Sequence, residues 1–408
     1  MAALLVLVLV LLAIGAVIFA RNWDGTHAAA QQQASIQDFY AIPNPLPSET
    51  PGTLIRTEAM SISVPGGGTA YRILYVSQLL TSEPAVSSGM IFVPNTPAPA
   101  AGRKVVAWAH GTLGFGDDCT PSRSQKPLGD MTNWLNAMMQ RGWVVAATDY
   151  VGIGTKGNPY YLVGKSEAAD VLNSVRAARN FDQAAAGNTF AVWGHSQGGH
   201  SALWTGHLAA RLAPELTLLG AAAAAPAANL VPIMAAQWRT TIGWVIGPQV
   251  SVSWPNASPG TPLQGVLSRA GLENYQRLAD ECVKPAGLEG AARDQFGQTF
   301  FAIDPTTQAQ WSALAKSESV PPMSAAMPVF MAQGTADEVV LPGPNALLQD
   351  QWCAAGSTIT VLWMGGIGHM AAATTAGPDV VPWIADRFAG RPAGRTCTTP
   401  PPVVPSTP

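Results

Sequence analysis

Apolar and polar positions change rhythm several times along this chain, and each rhythm predicts a different kind of element. The first twenty residues, MAALLVLVLVLLAIGAVIFA, carry no charge, and a run of that length is too apolar to leave in water. Residues 21 to about 55 are polar and then proline-rich (Ile42-Pro43-Asn44-Pro45-Leu46-Pro47), which predicts an extended arm over the surface. Three strand-like runs follow near 58–64, 71–79 and 88–94. The short turns between them predict antiparallel pairing.

The pattern then becomes strand, loop, helix. Compact apolar strands are expected at Lys104–Ala109, Trp143–Thr148, Phe190–Gly194 and Leu216–Ala225. Between them, helical periodicity marks Pro127–Arg141, Ser166–Asn180 (Ser166 as its cap) and Gln197–Ala210. Short, fully apolar strands alternating with amphipathic helices predict an α/β fold with a mostly parallel, doubly wound sheet covered on both faces. The alternation lapses from Ala228 to Pro322, a stretch holding Trp238, Trp244, Trp254 and Trp311, which reads as an inserted helical cap. It resumes with strands at Pro328–Ala332 and Thr358–Trp363 and helices from about Asn345 and near 378–389. The expected organisation is therefore an N-terminal segment 1–34, a core in two parts (35–227 and 323–390), a cap 228–322, and a proline-rich tail 391–408.

Composition narrows the function. Of 408 residues, 48% are hydrophobic and only 12% charged, with a net charge of −3. The core is large, and no basic patch is available for nucleic acid. The N-terminal run lacks the basic residues that precede a signal-peptide core, its first cation being Arg21. A cleaved export signal, with Ala28-Ala29-Ala30 as the small-residue site, is preferred over a retained single-span anchor at residues 2–20. Both place the remainder outside the cytoplasm, secreted or in the cell envelope. Four widely spaced cysteines, Cys119, Cys282, Cys353 and Cys397, match no zinc pattern and in an exported chain favour two disulfides over four reduced thiols.

The chemistry centres on Val192-Trp193-Gly194-His195-Ser196-Gln197-Gly198-Gly199-His200. This G-x-S-x-G lies between an apolar strand and a helix, the setting of a nucleophile elbow, where glycines permit a sharp turn that lifts the hydroxyl clear. A serine hydroxyl needs a base. Of six histidines (27, 110, 195, 200, 207, 369), only His369 follows Ser196 with room for an acid between, in Met364-Gly365-Gly366-Ile367-Gly368-His369-Met370. The acid is assigned to Asp337, in Gly334-Thr335-Ala336-Asp337, with Glu338 its rival and Val339 and Val340 as the apolar anchor beyond. The 141 residues from Ser196 to Asp337 exceed one or two βα units, and the surplus is the cap.

For the oxyanion, the backbone N–H of Gln197 is one expected donor. The other is assigned to Thr112, with Leu113 next, in Trp108-Ala109-His110-Gly111-Thr112-Leu113-Gly114. His110 is read as ordering that loop. The Asp149-Tyr150-Val151-Gly152-Ile153-Gly154 turn is read as structural and as one wall of the pocket. No nucleotide loop, HExxH helix or calcium loop is present, so neither cofactor nor metal is expected.

Together, the His110-Gly111-Thr112 loop followed by Cys119-Thr120-Pro121-Ser122, the Gly194-His195-Ser196-Gln197-Gly198-Gly199 elbow, the Asp337 loop and Gly368-His369 resemble the secretory lipase family, within the α/β-hydrolase superfamily. The resemblance spans about residue 40 to 397. It implies an α/β-hydrolase fold with a helical cap, triacylglycerol or other acyl-ester substrates, and disulfides Cys119–Cys282 and Cys353–Cys397. One departure is Gln197, where the family's type member has a glycine. The expected activity is a carboxylic ester hydrolase, lipase or esterase, working through a Ser196–His369–Asp337 triad and an acyl-enzyme, as a monomer on a small-molecule or lipid ester. The alternatives are a prolyl-type serine peptidase and a non-catalytic, membrane-tethered binding protein with the same fold.

Overall fold

The computed structural model describes residues 30–407. The apolar segment 1–20 and the proposed cleavage site up to Ala29 lie outside the described residues. Among the described residues, no helix is long and apolar enough to cross a membrane.

One sheet of nine strands organises the described chain. Its strands are β1 (Leu54–Ala59), β2 (Thr69–Gln78), β3 (Pro84–Val93), β4 (Arg103–Ala109), β5 (Val144–Thr148), β6 (Ala186–His195), β7 (Thr217–Ala224), β8 (Val329–Gly334) and β9 (Ile359–Met364). They lie side by side as β1-β2-β3-β5-β4-β6-β7-β8-β9. The first three pair antiparallel, β3 runs antiparallel to β5, and β5 through β9 are parallel. The parallel strands are apolar because both faces are covered: every residue of β5 is buried, as is every residue of β8.

Residues 30–36 form the described part of a helix α1. The helices α2 (Leu135–Gln140), α3 (Gly164–Arg179), α4 (Gln197–Leu212), α10 (Pro342–Ala354) and α11 (Ala372–Phe388) accompany the sheet. Between β7 and β8 the chain leaves the sheet and forms five helices, α5 (Leu230–Gln237), α6 (Thr241–Ala257), α7 (Arg269–Asp280), α8 (Val283–Gln295) and α9 (Ala309–Glu318). The two ends of this excursion meet, since the Val320 N–H donates to the Ala228 carbonyl at 2.9 Å. Trp244, Trp254 and Trp311 are fully buried there. Trp254 and Trp311 pack at 5.3 Å between ring centroids, and these tryptophans hold the insertion's helices together within an apolar cluster that is continuous with one face of the sheet.

Several expectations need correction. The first strand is 54–59, not 58–64, because Gly66, Gly67 and Gly68 at positive φ turn the chain into β2. The helix expected at 127–141 shortens to α2, preceded by a single 3-10 turn at Gly129–Met131 with Gly129 at φ 46°. Helix α3 begins at Gly164, its N-cap is Val163, and Ser166 caps nothing, its hydroxyl having no partner. Helix α11 begins at Ala372 and carries Pro378 and Pro382 inside it. The arm is helical through residue 40 and extended only after it. Arg123 stacks on the Tyr40 ring and bonds Gln33 and Gln37, which holds that helical part against the body. Both disulfides have the pairing that the family resemblance implies, Cys119–Cys282 and Cys353–Cys397.

Candidate active site

Three loops at the carboxyl ends of β6, β8 and β9 converge on one point. Ser196 follows β6 and precedes α4, with φ 56° and ψ −116°. A non-glycine residue in that region is strained and persists only where its surroundings over-determine it. The neighbouring glycines supply that constraint. A Cβ on Gly194 would fall 1.9 Å from the Gly198 carbonyl oxygen, and one on Gly198 would fall 1.9 Å from that of Ala109. The Ser196 N–H is fixed on the Ala224 carbonyl at 2.9 Å. The turn thus packs between β4 and β7 only because two side chains are absent.

His369 follows β9, and its Nε2 lies 2.9 Å from Ser196 Oγ. Its Nδ1 lies 2.9 Å from Asp337 Oδ2. Asp337 is held in turn: Oδ1 accepts from the Val339 and Val340 N–H groups, each at 2.9 Å, and Oδ2 from the Gln333 side chain at 3.2 Å. A carboxylate facing Nδ1 requires a proton there, which leaves Nε2 free to accept from the serine hydroxyl. Ser196, His369 and Asp337 are all buried. Glu338 takes another place: its Oε2 faces the His369 backbone N–H at 3.4 Å.

Gln197 is the first residue of α4, so its backbone N–H is one of the unpaired donors at a helix N-terminus. Its side chain explains the departure from glycine. The amide donates to Glu167 Oε1 at 2.9 Å, and Glu167 also accepts from Leu162 N–H, the Ser201 hydroxyl and His200. The loop after β4 lies against the nucleophile, where a Cβ on Gly111 would sit 3.4 Å from Ser196 Cβ. The Thr112 hydroxyl is engaged by Tyr161 at 2.7 Å. The loop then pairs with the insertion: Phe115 N–H donates to Ala279, Gly116 to Asp280, and Val283 to Leu113. His110 Nδ1 bonds the Gly111 carbonyl, consistent with an ordering role. Asp149 is buried and bonds Ser88 and Ser122. Its turn lines neither of the cavities at Ser196, so the expected contribution of residues 149–154 to the pocket wall is withdrawn.

Two cavities meet at Ser196. One, of about 70 Å³, is bounded almost wholly by apolar groups of the insertion, including Met234, Ile246, Val250, Trp254 and Phe301. The other, of about 640 Å³, is a wider cleft past Thr112, Asp130, His195, Lys284 and His369. Reading the sequence missed Asp130, which bonds His195, and Glu167, which bonds Gln197. The only available signal for Glu167 was a carboxylate among Ala168, Ala169, Val171 and Leu172.

A family model described as secretory lipase matches residues 129–396. The chain belongs to the secretory lipase family. Its curated relatives include a secreted triacylglycerol lipase of Malassezia globosa, 26% identical, covering 93% of this chain and 84% of that protein. Another is a protein of Mycobacterium tuberculosis described as a probable inactive lipase, 23% identical over 87% of this chain and 82% of its own length. Among solved structures, Candida antarctica lipase A in its closed state superposes with a TM-score of 0.71 at 18% identity, covering 91% of this chain and 89% of that one. The rice cell wall degrading esterase LipA of Xanthomonas oryzae gives 0.68 at 16%, covering 84% and 99%. These likenesses show the α/β-hydrolase fold that was expected of this chain.

Proposed function

We propose that this protein is a secreted carboxylic ester hydrolase, a lipase or esterase, that works through an acyl-enzyme on Ser196. The observation that carries the reading is the unbroken hydrogen-bonded series from Asp337 through His369 to the Ser196 hydroxyl, standing where two cavities meet. His369 Nε2 takes the proton as Oγ attacks the ester carbonyl. Asp337 stabilises the imidazolium. The Gln197 and Thr112 N–H groups receive the oxyanion. The alcohol departs with the proton from His369, and a water activated by the same ring releases the acid. The narrow apolar cavity takes the acyl chain, the wide cleft takes the alcohol, and residues 228–322 serve as the cap over both.

The test pairs a covalent probe with turnover. A fluorophosphonate is expected to label the protein at Ser196, and Ser196→Ala is expected to abolish labelling and lower turnover of a p-nitrophenyl ester on the order of 10⁶-fold. An unlabelled wild type would favour a non-catalytic protein, the reading suggested by the relative described as probably inactive. Faster cleavage of aminoacyl anilides than of esters would favour a peptidase.

A further inference from the structure

A second acid–histidine pair stands beside the first. His195 immediately precedes the nucleophile and is buried. Its Nδ1 lies 2.8 Å from Asp130 Oδ2, and its Nε2 lies 3.1 Å from the backbone carbonyl oxygen of His369. The His195 and His369 rings are 4.8 Å apart between centroids, inclined at 37°. Asp130 sits on the 3-10 turn Gly129–Met131, where the chain abandons the helix that its periodicity predicts. Three segments distant in sequence are therefore joined at the backbone of His369.

Burial pushes the Asp130 carboxyl up, but the hydrogen bond and charge of His195 outweigh it and hold the group below the ordinary carboxylate range. Asp130 is thus an acceptor, and so is the His369 carbonyl. Both ring nitrogens of His195 face acceptors only, and both contacts are satisfied together only when the ring carries two protons. The resulting imidazolium is neutralised by Asp130, so the pair adds no net charge beside His369 when that ring takes up a proton. The opposite end of the residue is held too, by Glu338 on its N–H.

We propose that, given the hydrolytic role of Ser196 proposed above, Asp130 and His195 are positioning residues that fix the backbone of His369 and thereby aim its ring at the serine. Reacting groups must be held within a fraction of an ångström, and a misplacement of one ångström can cost about 10²-fold in rate.

The test compares wild type, His195→Phe, His195→Gln and Asp130→Ala on one soluble short-chain p-nitrophenyl ester at a single pH near neutrality. His195→Phe is expected to lower kcat between about 10- and 100-fold with KM changed by less than about twofold. Glutamine can still donate to the carbonyl, so His195→Gln is expected to recover kcat to within about threefold of wild type. Asp130→Ala releases the far side of the His195 ring and is expected to lower kcat by about 10-fold, again with little change in KM. If His195→Phe does not fold, Asp130→Ala and His195→Gln decide. An unchanged kcat in His195→Phe or in Asp130→Ala, or a His195→Gln variant about 10-fold or more slower than wild type, overturns the positioning role. A wild type that neither turns over ester nor labels with fluorophosphonate overturns the hydrolase reading instead.

Discussion

Glu167 receives four donors on two oxygens: the Gln197 amide, Leu162 N–H, the Ser201 hydroxyl and His200 Nδ1, between 2.7 and 3.0 Å. Removing it leaves the buried His200 ring and the nucleophile's neighbour without their shared acceptor. Glu167→Ala is expected to cost about 3–5 kcal/mol of unfolding free energy, read from urea denaturation. The same cluster sets a pH dependence. Burial alone would push His200 down, but the Glu167 carboxylate and the hydrogen bonds to Glu167 and Glu318 hold it above its ordinary value. Burial drives Asp170 up to about 7 against its bonds from Ser77 and Val151. Both groups bind protons more tightly folded than unfolded, so each loses stabilising effect as pH rises. Asp170 does so between about 4 and its folded value, and His200 from about 6.5 through its own raised value. The urea midpoint is expected to fall as pH is raised through neutrality, and His200→Gln is expected to flatten that fall. Ser196, Asp337 and His369 were legible because each lies in a short motif after an apolar strand. Glu167 and Asp130 were not, because their partners come from other segments, and a lone carboxylate in a helical or loop stretch reads as a solvated one.

At the scale of elements, the loop carrying Thr112 owes its shape to the insertion. Gly114 has φ 102°, and a Cβ there would lie 2.2 Å from the Glu281 carbonyl oxygen. Gly114→Ala is therefore expected to push the loop off α7 and lower kcat by about 10-fold or more, with fluorophosphonate labelling slowed in proportion. The Cys119–Cys282 bridge, spanning 163 residues, braces the same junction. Cys119→Ser with Cys282→Ser is expected to lower stability by about 2–4 kcal/mol in urea. The alternation of strands and helices was readable where both faces of a strand are buried, as in β5 and β8. It misled where backbone outweighed side-chain period. Gly129 stopped the helix that Met131, Trp134 and Met138 suggest, while Pro378 and Pro382 lie inside α11 although prolines usually mark a boundary.

Across the whole molecule, the sheet brings residues from both halves of the chain to one rim, and the insertion shapes what reaches them. Ile242, Ile246 and Val339 border the narrow cavity and the wide cleft alike. The wild type is expected to prefer short acyl esters, as the cavity of about 70 Å³ admits little more. Ile246→Ala is expected to open the partition and move the optimum to longer chains, measured across a p-nitrophenyl ester series. The order of elements and the site of the insertion could be read from the chain, but its interior could not, because contacts between distant segments such as the tilted Trp254–Trp311 pair carry no periodic signal. The insertion also leaves and rejoins the core at a single seam, where Val320 bonds Ala228. That seam is not its sole attachment, because the same segment is also riveted to the Thr112 loop through Leu113, Phe115, Gly116 and Cys119; exchanging this visor for a related one at the two seam residues would therefore alter both which molecules are admitted and how that loop is held beneath it.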